Sequence, residues 1–288
     1  MQCSKCKEPA VISEPARCKK HFLADFEQKV KDTIERFQLL QKGQKIAVAA
    51  SGGKDSLTIM VLLKKWYENV TAITIDEGIE GYRAKTMEDL QRVCKEQNIP
   101  LITKSYKDFT GYTLDEMLKK QKFHPCTICG TFRRHLISIA SKEFDVLVTG
   151  HNADDEAQTI LMNLLKGNTD IFPRNGPKTG VGAKGFTQRV KPLYFCTEKE
   201  VATFAFLNGF VSEFIECPNA PEGFRYLIRT VLNNHGTKET KQHILEQFLK
   251  MKETFPTKSV ELPPCKNCGE PSARETCKTC EFLMVVQS

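Results

Sequence analysis

Short apolar runs alternate with longer stretches in which apolar residues recur every three or four positions. Residues 45–50, 70–76, 99–104 and 145–150 read as strands, because their apolar character is nearly continuous. Residues 26–40, 55–66, 83–97, 129–142 and 154–166 carry the helical period. Strand–helix alternation with two-sided apolar strands predicts an α/β fold: a parallel twisted sheet with helices on both faces. Further helices are predicted at 197–208 and 238–252, making a helical C-terminal part. Between them, residues 168–185 are rich in Gly, Pro and Asn, with Lys178 and Lys184, and read as a mobile loop. Ligands in such folds bind where the strands end. Three distinctive turns fall there, at residues 51–56, 75–78 and 150–156.

The first of these turns is the most informative. Ser51, Gly52, Gly53, Lys54, Asp55 and Ser56 follow an apolar run and precede a helix. A turn of this kind aims unpaired backbone N–H groups at one spot, beside the positive end of the helix dipole. A phosphate fits that spot, and two glycines let the main chain come close to it. The spacing matches neither Gly-x-x-x-x-Gly-Lys-Ser/Thr nor Gly-x-Gly-x-x-Gly.

The 288 residues suffice for one large or two modest domains, and 40% hydrophobic with 27% charged residues fits a soluble globular chain. No apolar run reaches transmembrane length, and the first residues lack an apolar signal region, so a cytoplasmic protein without a membrane partner is expected. The net charge of +7, from 42 basic and 35 acidic residues, favours a polyanionic partner only modestly.

Twelve cysteines change the picture, because in a cytoplasmic chain they point to metal. Cys3, Cys6, Cys18 and His21 make one set of four soft ligands, and Cys265, Cys268, Cys277 and Cys280 make another. Each has the layout of a closed tetrahedral zinc site, and neither segment is apolar enough to fold without its ion. The chain therefore divides into a finger at 1–23, a catalytic domain at 24–260 and a finger at 261–288. Cys126 and Cys129 form a further Cys-x2-Cys, followed by Arg133 and Arg134. This pair is ambiguous among a redox dithiol, half a zinc site and an iron–sulfur site completed by Cys217. Asp154 and Asp155 open the helix after residue 150 and can cap it or hold Mg²⁺ beside a triphosphate.

Taken in order, these motifs resemble the tRNA-thiolation branch of the PP-loop ATPases, the TtuA/NcsA group, nearly end to end. The likeness rests on the two fingers, Ser51-Gly-Gly-Lys-Asp-Ser56, Asp76-Glu77-Gly78, Pro125-Cys-x2-Cys-Gly130, Gly150-His-Asn-x-Asp-Asp-Glu156, Lys191-Pro192-Leu193 and Glu216-Cys217-Pro218. The resemblance implies a PP-loop, Rossmann-like sheet with ATP on residues 51–56, framed by Ala49, Ile75 and Gly150. It implies a [4Fe–4S] cluster on Cys126, Cys129 and Cys217, with one iron open, and two Zn²⁺ in the fingers. Asp155 falls on an acid the family treats as catalytic. Arg133 falls on a basic residue that is lysine in some relatives, and arginine keeps the charge without readily serving as a base. Lys54 completes the catalytic set.

The implied reaction activates C2 of a tRNA uridine with ATP and Mg²⁺, then replaces its oxygen with sulfur, releasing pyrophosphate and AMP. The stretches around Cys126 and Gly150 look most like enzymes of the wobble uridine, with the T-loop uridine as runner-up. Sulfide or a ubiquitin-like thiocarboxylated carrier would supply the sulfur, and family analogy gives a homodimer. Three other readings compete: adenylation of a small molecule, nucleotide-switched RNA binding through zinc fingers, and thiolation through a persulfide on Cys126 or Cys129.

Overall fold

A computed structural model describes residues 1–120, 122–179, 185–210, 215–255 and 261–287. The chain opens with a ribbon, β1 (Ile12–Ser13) and β2 (Ala16–Arg17), and runs into α1 (Lys19–Arg36). There follow β3 (Ile46–Ala49), α2 (Lys54–Trp66), β4 (Val70–Asp76), α3 (Arg83–Glu96) and β5 (Leu101–Ser105). Next come α4 (Tyr106–Thr110), α5 (Leu114–Lys120), α6 (Pro125–Ala140), β6 (Val146–Thr149) and α7 (Ala153–Leu165). The remainder is β7 (Lys178–Thr179), β8 (Gln188–Val190), α8 (Glu198–Leu207), α9 (Phe224–His235), α10 (Lys238–Lys252) and α11 (Lys278–Gln287).

The six-stranded sheet has the order β5-β4-β3-β6-β8-β7, and only the edge strand β7 runs antiparallel. In register, Ile46 lies between Val70 and Val146, so β3 is central and its successors add on opposite sides. The strand order reverses there, which opens a crevice at the carboxyl ends of β3, β4 and β6. Strand residues such as Ile46, Val48 and Ala72 face a core shared with α1, α2, α3 and α8. Ala47, Ile73 and Leu147 face the other way and meet Ile137 of α6. The expected two-sided parallel sheet is what forms.

Two helices start earlier than their periodicity suggests. α1 begins at Lys19, because Cys18 is its N-cap and His21 lies in its first turn. It runs unbroken across residue 23. α6 begins at Pro125, where a proline at the first helical position costs no hydrogen bond. Cys126 and Cys129 therefore stand on the first two turns of one helix. Part of the loop expected at 168–185 is the short edge strand β7, and residues 180–184, Lys184 among them, lie outside the described residues. Among the described residues, no helix is long and apolar enough to cross a membrane.

Candidate active site

The turn between β3 and α2 is fixed by its own hydroxyls. The Ser56 Oγ accepts the Ser51 N–H at 3.2 Å and donates to the Gly53 carbonyl at 3.0 Å, while the Ser51 Oγ accepts the Gly53 N–H at 3.3 Å. Gly52 is required for a reason the sequence did not disclose. Its φ is +85°, and a Cβ there would sit 1.9 Å from the Thr86 carbonyl oxygen of α3. Gly150 ends β6 against the first turn of α2, where a Cβ would lie 2.9 Å from the Ser56 nitrogen. The first close approach packs the loop on α3, and the second draws the turns at 51–56 and 150–156 together.

The loop separates two clefts. The first, of about 410 Å³, lies over the strand ends and is lined by Ala49, Ile75, Gly150, Asp155, Arg133 and His151, with Ser51, Asp55 and Ser56 along one wall. The second, of about 650 Å³, is lined by Gly52, Gly53 and Lys54 together with Glu198, Arg229 and Lys241. Ser51 and Asp55 border both. Every residue expected at a nucleotide thus faces one cleft or the other.

Charges are arranged tightly across this boundary. The Lys54 ammonium lies 3.0 Å from both Asp55 Oδ2 and Glu198 Oε1. Burial would lower its pKa, but the two carboxylates raise it, so Lys54 stays charged. Asp55 also accepts from Asn152 Nδ2 at 2.8 Å. Burial pushes the Asp55 carboxyl up, against Lys54, and nearby Asp155 adds to the rise. Asp155 is raised in turn, first by burial and then by Glu198, against the attraction of Arg225, whose guanidinium is 3.8 Å away. His151 lines the first cleft with its side chain exposed, and the protein walls around it, then Lys191, push its imidazole down to about 4.

The two acids at the start of α7 part company. Asp154 turns away from the first cleft: it accepts the Glu198 N–H at 2.8 Å and pairs with Lys241 at 2.5 Å. It ties α8 and α10 to α7. Asp155 closes a reciprocal cap with Asn152 and still borders the first cleft. Capping and a place at the first cleft therefore combine in Asp155, whereas Asp154 borders the second cleft and bridges α7 to α8 and α10.

None of Cys126, Cys129 and Cys217 is in a disulfide; the first two lie in the opening turns of α6 and the third in the segment before α9. Cys129 Sγ receives the Tyr106 hydroxyl at 3.5 Å, and Cys126 Sγ lies 3.6 Å from the Asn219 carbonyl. Among the described residues, only the two finger sets bring all their ligand atoms within 4.8 Å. The three thiols are near enough for Cys217 to perturb Cys129, and Cys126 to perturb Cys217, but are not gathered for one ion. A multinuclear cluster does not require such gathering, because its cysteines bind different irons. The positive end of α6 also suits its negative charge. Arg133, half-exposed and one turn beyond Cys129, lines the first cleft and lies in the field of Cys129 and Glu77.

The fingers are closed sites. Cys6 and Cys18 sulfurs are 3.7 Å apart, and the His21 Nδ1 lies 3.4, 3.5 and 3.4 Å from Cys3, Cys6 and Cys18. At the other end, Cys265–Cys280 and Cys268–Cys277 measure 3.9 and 3.7 Å. A tetrahedral ion with about 2.3 Å bonds to sulfur has edges of about 3.8 Å, so both sets fit Zn²⁺. Burial opposes ionisation of Cys3, yet the N–H groups of Cys18 and Lys5 bring it down to about 6. The N–H groups of Cys277 and Cys268 do the same for Cys265.

Residues 22–210 match the PP-loop domain family. The chain belongs to that family. It is 37% identical to the tRNA-5-methyluridine(54) 2-sulfurtransferase of Pyrococcus horikoshii, covering 98% of this chain and 93% of that protein. It is 33% identical to the cytoplasmic tRNA 2-thiolation protein 1 of Aspergillus niger, covering 98% and 87%. Its fold matches that of the U34-tRNA thiolase NcsA from Methanococcus maripaludis, solved with its [4Fe–4S] cluster. The TM-score is 0.78 at 31% identity, over 98% of this chain and 95% of that one. In this PP-loop chain, several site residues had escaped the sequence reading. Arg225 and Arg229 stand on α9, a helix the sequence reading did not assign although its apolar and polar residues segregate sharply at the helical period. Glu198 gave no local signal. Asn152 and Glu77 lay inside quoted motifs without an assigned task.

Proposed function

We propose that the protein is an ATP-dependent tRNA-uridine 2-sulfurtransferase acting in the cytoplasm. One observation carries this reading: Arg133 lines the cleft over the strand ends and lies beside Cys129, so a nucleotide site and a three-thiol site share a wall. ATP binds residues 51–56, with Ala49, Ile75 and Gly150 framing it. Uridine O2 attacks the α-phosphorus, and the bond to pyrophosphate breaks. Loop N–H groups and Lys54 take up the departing charge. Asp55 and Asp155 are the residues that would hold Mg²⁺. Arg133 neutralises charge on the activated intermediate and transfers no proton. Sulfur then bonds to C2, the C2–O bond breaks, and AMP leaves. Cys126, Cys129 and Cys217 would hold a [4Fe–4S] cluster, which would supply the site for the inorganic sulfur nucleophile. The fingers at 1–23 and 261–288, flanking the catalytic domain at 24–260, bind structural Zn²⁺, and the first, with Lys5, Lys7, Arg17, Lys19 and Lys20, lends basic surface for tRNA.

The modified position is the wobble uridine in this reading, in line with the U34-tRNA thiolase whose fold the chain shares. A T-loop uridine is the second reading, favoured by the higher identity to the enzyme named for position 54. Sulfide or a ubiquitin-like thiocarboxylated carrier donates the sulfur, and the enzyme works as a homodimer. Anaerobic protein incubated with tRNA, ATP and sulfide, followed by nuclease mapping with mass spectrometry, tests both claims. Thiouridine at position 34 with matched AMP formation supports the proposal. Thiouridine at 54 selects the second reading, and AMP formation that ignores tRNA sinks both.

A further inference from the structure

Glu77 follows β4 in a turn that only glycine can continue. Gly78 has φ +68°, a Cβ there would meet Thr113 at 2.6 Å, and Asp76 holds the turn by accepting the Gly78 N–H at 2.9 Å. The turn drives the Glu77 side chain inward, to 7% exposure. A carboxylate so buried needs cationic partners. It has two, on opposite sides. Arg83 Nε lies 3.1 Å from Oε2, and Arg133 Nη1 lies 3.7 Å from Oε1.

The two arginines differ in kind. Arg83 is buried and pinned: it donates to the Ser51 carbonyl at 2.6 Å, to Thr86 Oγ1 at 3.2 Å and to Thr74 Oγ1. It is fastened to the phosphate loop whether or not Glu77 is charged. Arg133 is half-exposed at the cleft mouth, and a long side chain in water samples many rotamers unless something holds it. Glu77 Oε2 and Arg83 Nε, although in contact, lack an aligned hydrogen bond. Charge rather than a hydrogen-bond fork holds that pair, which leaves the carboxylate free to lean toward Arg133. Ser51, Arg83, Glu77 and Arg133 thus form a continuous chain from the loop backbone to the cysteine-bearing helix.

We propose that Glu77 is a positioning residue. Anchored to the phosphate loop through Arg83, it fixes the Arg133 guanidinium between the nucleotide cleft and Cys129. Its catalytic consequence rests on the sulfurtransferase reading, but the positioning itself does not.

The test begins on iron-free protein with isotopically labelled arginine, observing side-chain Nε–Hε resonances and guanidinium rotation by NMR. Wild type should show hindered rotation at both Arg83 and Arg133. Glu77→Gln keeps the shape and removes the charge. It should free Arg133 and leave Arg83 hindered. Glu77→Asp keeps the charge but shortens the reach. It should free Arg133 too, and it decides the matter should the Gln variant not fold. With loaded enzyme, Glu77→Gln should lower kcat by about tenfold or more while KM for ATP moves less than about threefold. In an Arg133→Ala background the same change should cost less than about threefold, because its effect passes through Arg133. An Arg133 equally hindered in the Glu77 variants would overturn the proposal, and so would an equal cost in both backgrounds. Absence of thiolation in wild type would strike the functional reading alone, since the NMR arm needs neither iron nor tRNA.

Discussion

The finger at the N-terminus runs directly into α1 and rests on α8, whereas the finger at the C-terminus ends in α11 and rests on α6. In the first, Asp25 holds Lys5 and Arg17 at 2.7 Å each, Phe26 stacks on Phe204 at 4.6 Å, and Lys29 pairs with Glu200 at 2.8 Å. In the second, Phe282 meets Phe123 at 5.4 Å and Phe132 at 6.4 Å, and Lys120 donates to the Val286 carbonyl at 3.2 Å. The ligand geometry is nearly the same, but the supports are not. The C-terminal module braces the helix that presents Cys126 and Cys129, while the N-terminal module braces the far side of the sheet. Similar metal sites therefore carry different consequences for the chemistry.

Removing each module's metal is the sharpest way to break this comparison. Cys280 stands on the first turn of α11, so Cys277→Ser should undo both the zinc site and the packing on α6. Anaerobic metal analysis should then show one zinc lost together with most of the iron. Cys6→Ser should lose one zinc and keep the iron. Loss of iron in both variants, or in neither, would erase the distinction, because each site would then act globally or not at all.

Single aromatic contacts sharpen it further. Phe26→Ala should cost about 3–4 kcal/mol of stability in urea unfolding and leave iron content unchanged. Phe282 is only partly buried, so Phe282→Ala should cost about 2 kcal/mol, keep both zincs and lower iron occupancy. The reverse pattern in iron would place the brace at the other end.

Asp155→Asn gives a smaller and pH-dependent effect. The folded pKa of Asp155 is raised, so its ionised form costs folding stability. That cost is absent below the unfolded value of about 3.9 and fully present above the folded one. Asparagine keeps the cap acceptor, so the variant should match or exceed wild-type stability at pH 7, lose that advantage by about pH 3.5, and be inactive. An advantage that grew on acidification would contradict the account. Smallest of all, Lys266→Ala removes an ion pair of the C-terminal finger whose two side chains, Lys266 and Glu275, are both exposed, and should change stability by less than about 1 kcal/mol with no effect on iron.

The phosphate loop, the parallel sheet and both finger ligand sets were legible because short-range patterns write them: apolar runs, a glycine turn, paired cysteines. Asp155 was legible from its place after a strand. The task of Asp154 was not, since its partners Glu198 and Lys241 are far away in sequence. Gly52 was read as a concession to phosphate, but its contact with Thr86 depends on where α3 packs. Arg225, Arg229 and Glu77 became visible only when α9 and the turn after β4 met the cleft. Local propensity carries no record of such meetings. Nor could the brace of α11 on α6 be read, because Phe282 and Phe132 are joined only by tertiary packing.

The central claim is that three cysteines hold a cluster beside a phosphate loop. Protein purified without oxygen should contain about four irons, matching acid-labile sulfide, and two zincs per chain. Cys217→Ala should lose the iron and keep the zincs. Three zincs and no iron in the anaerobic wild type would contradict the account.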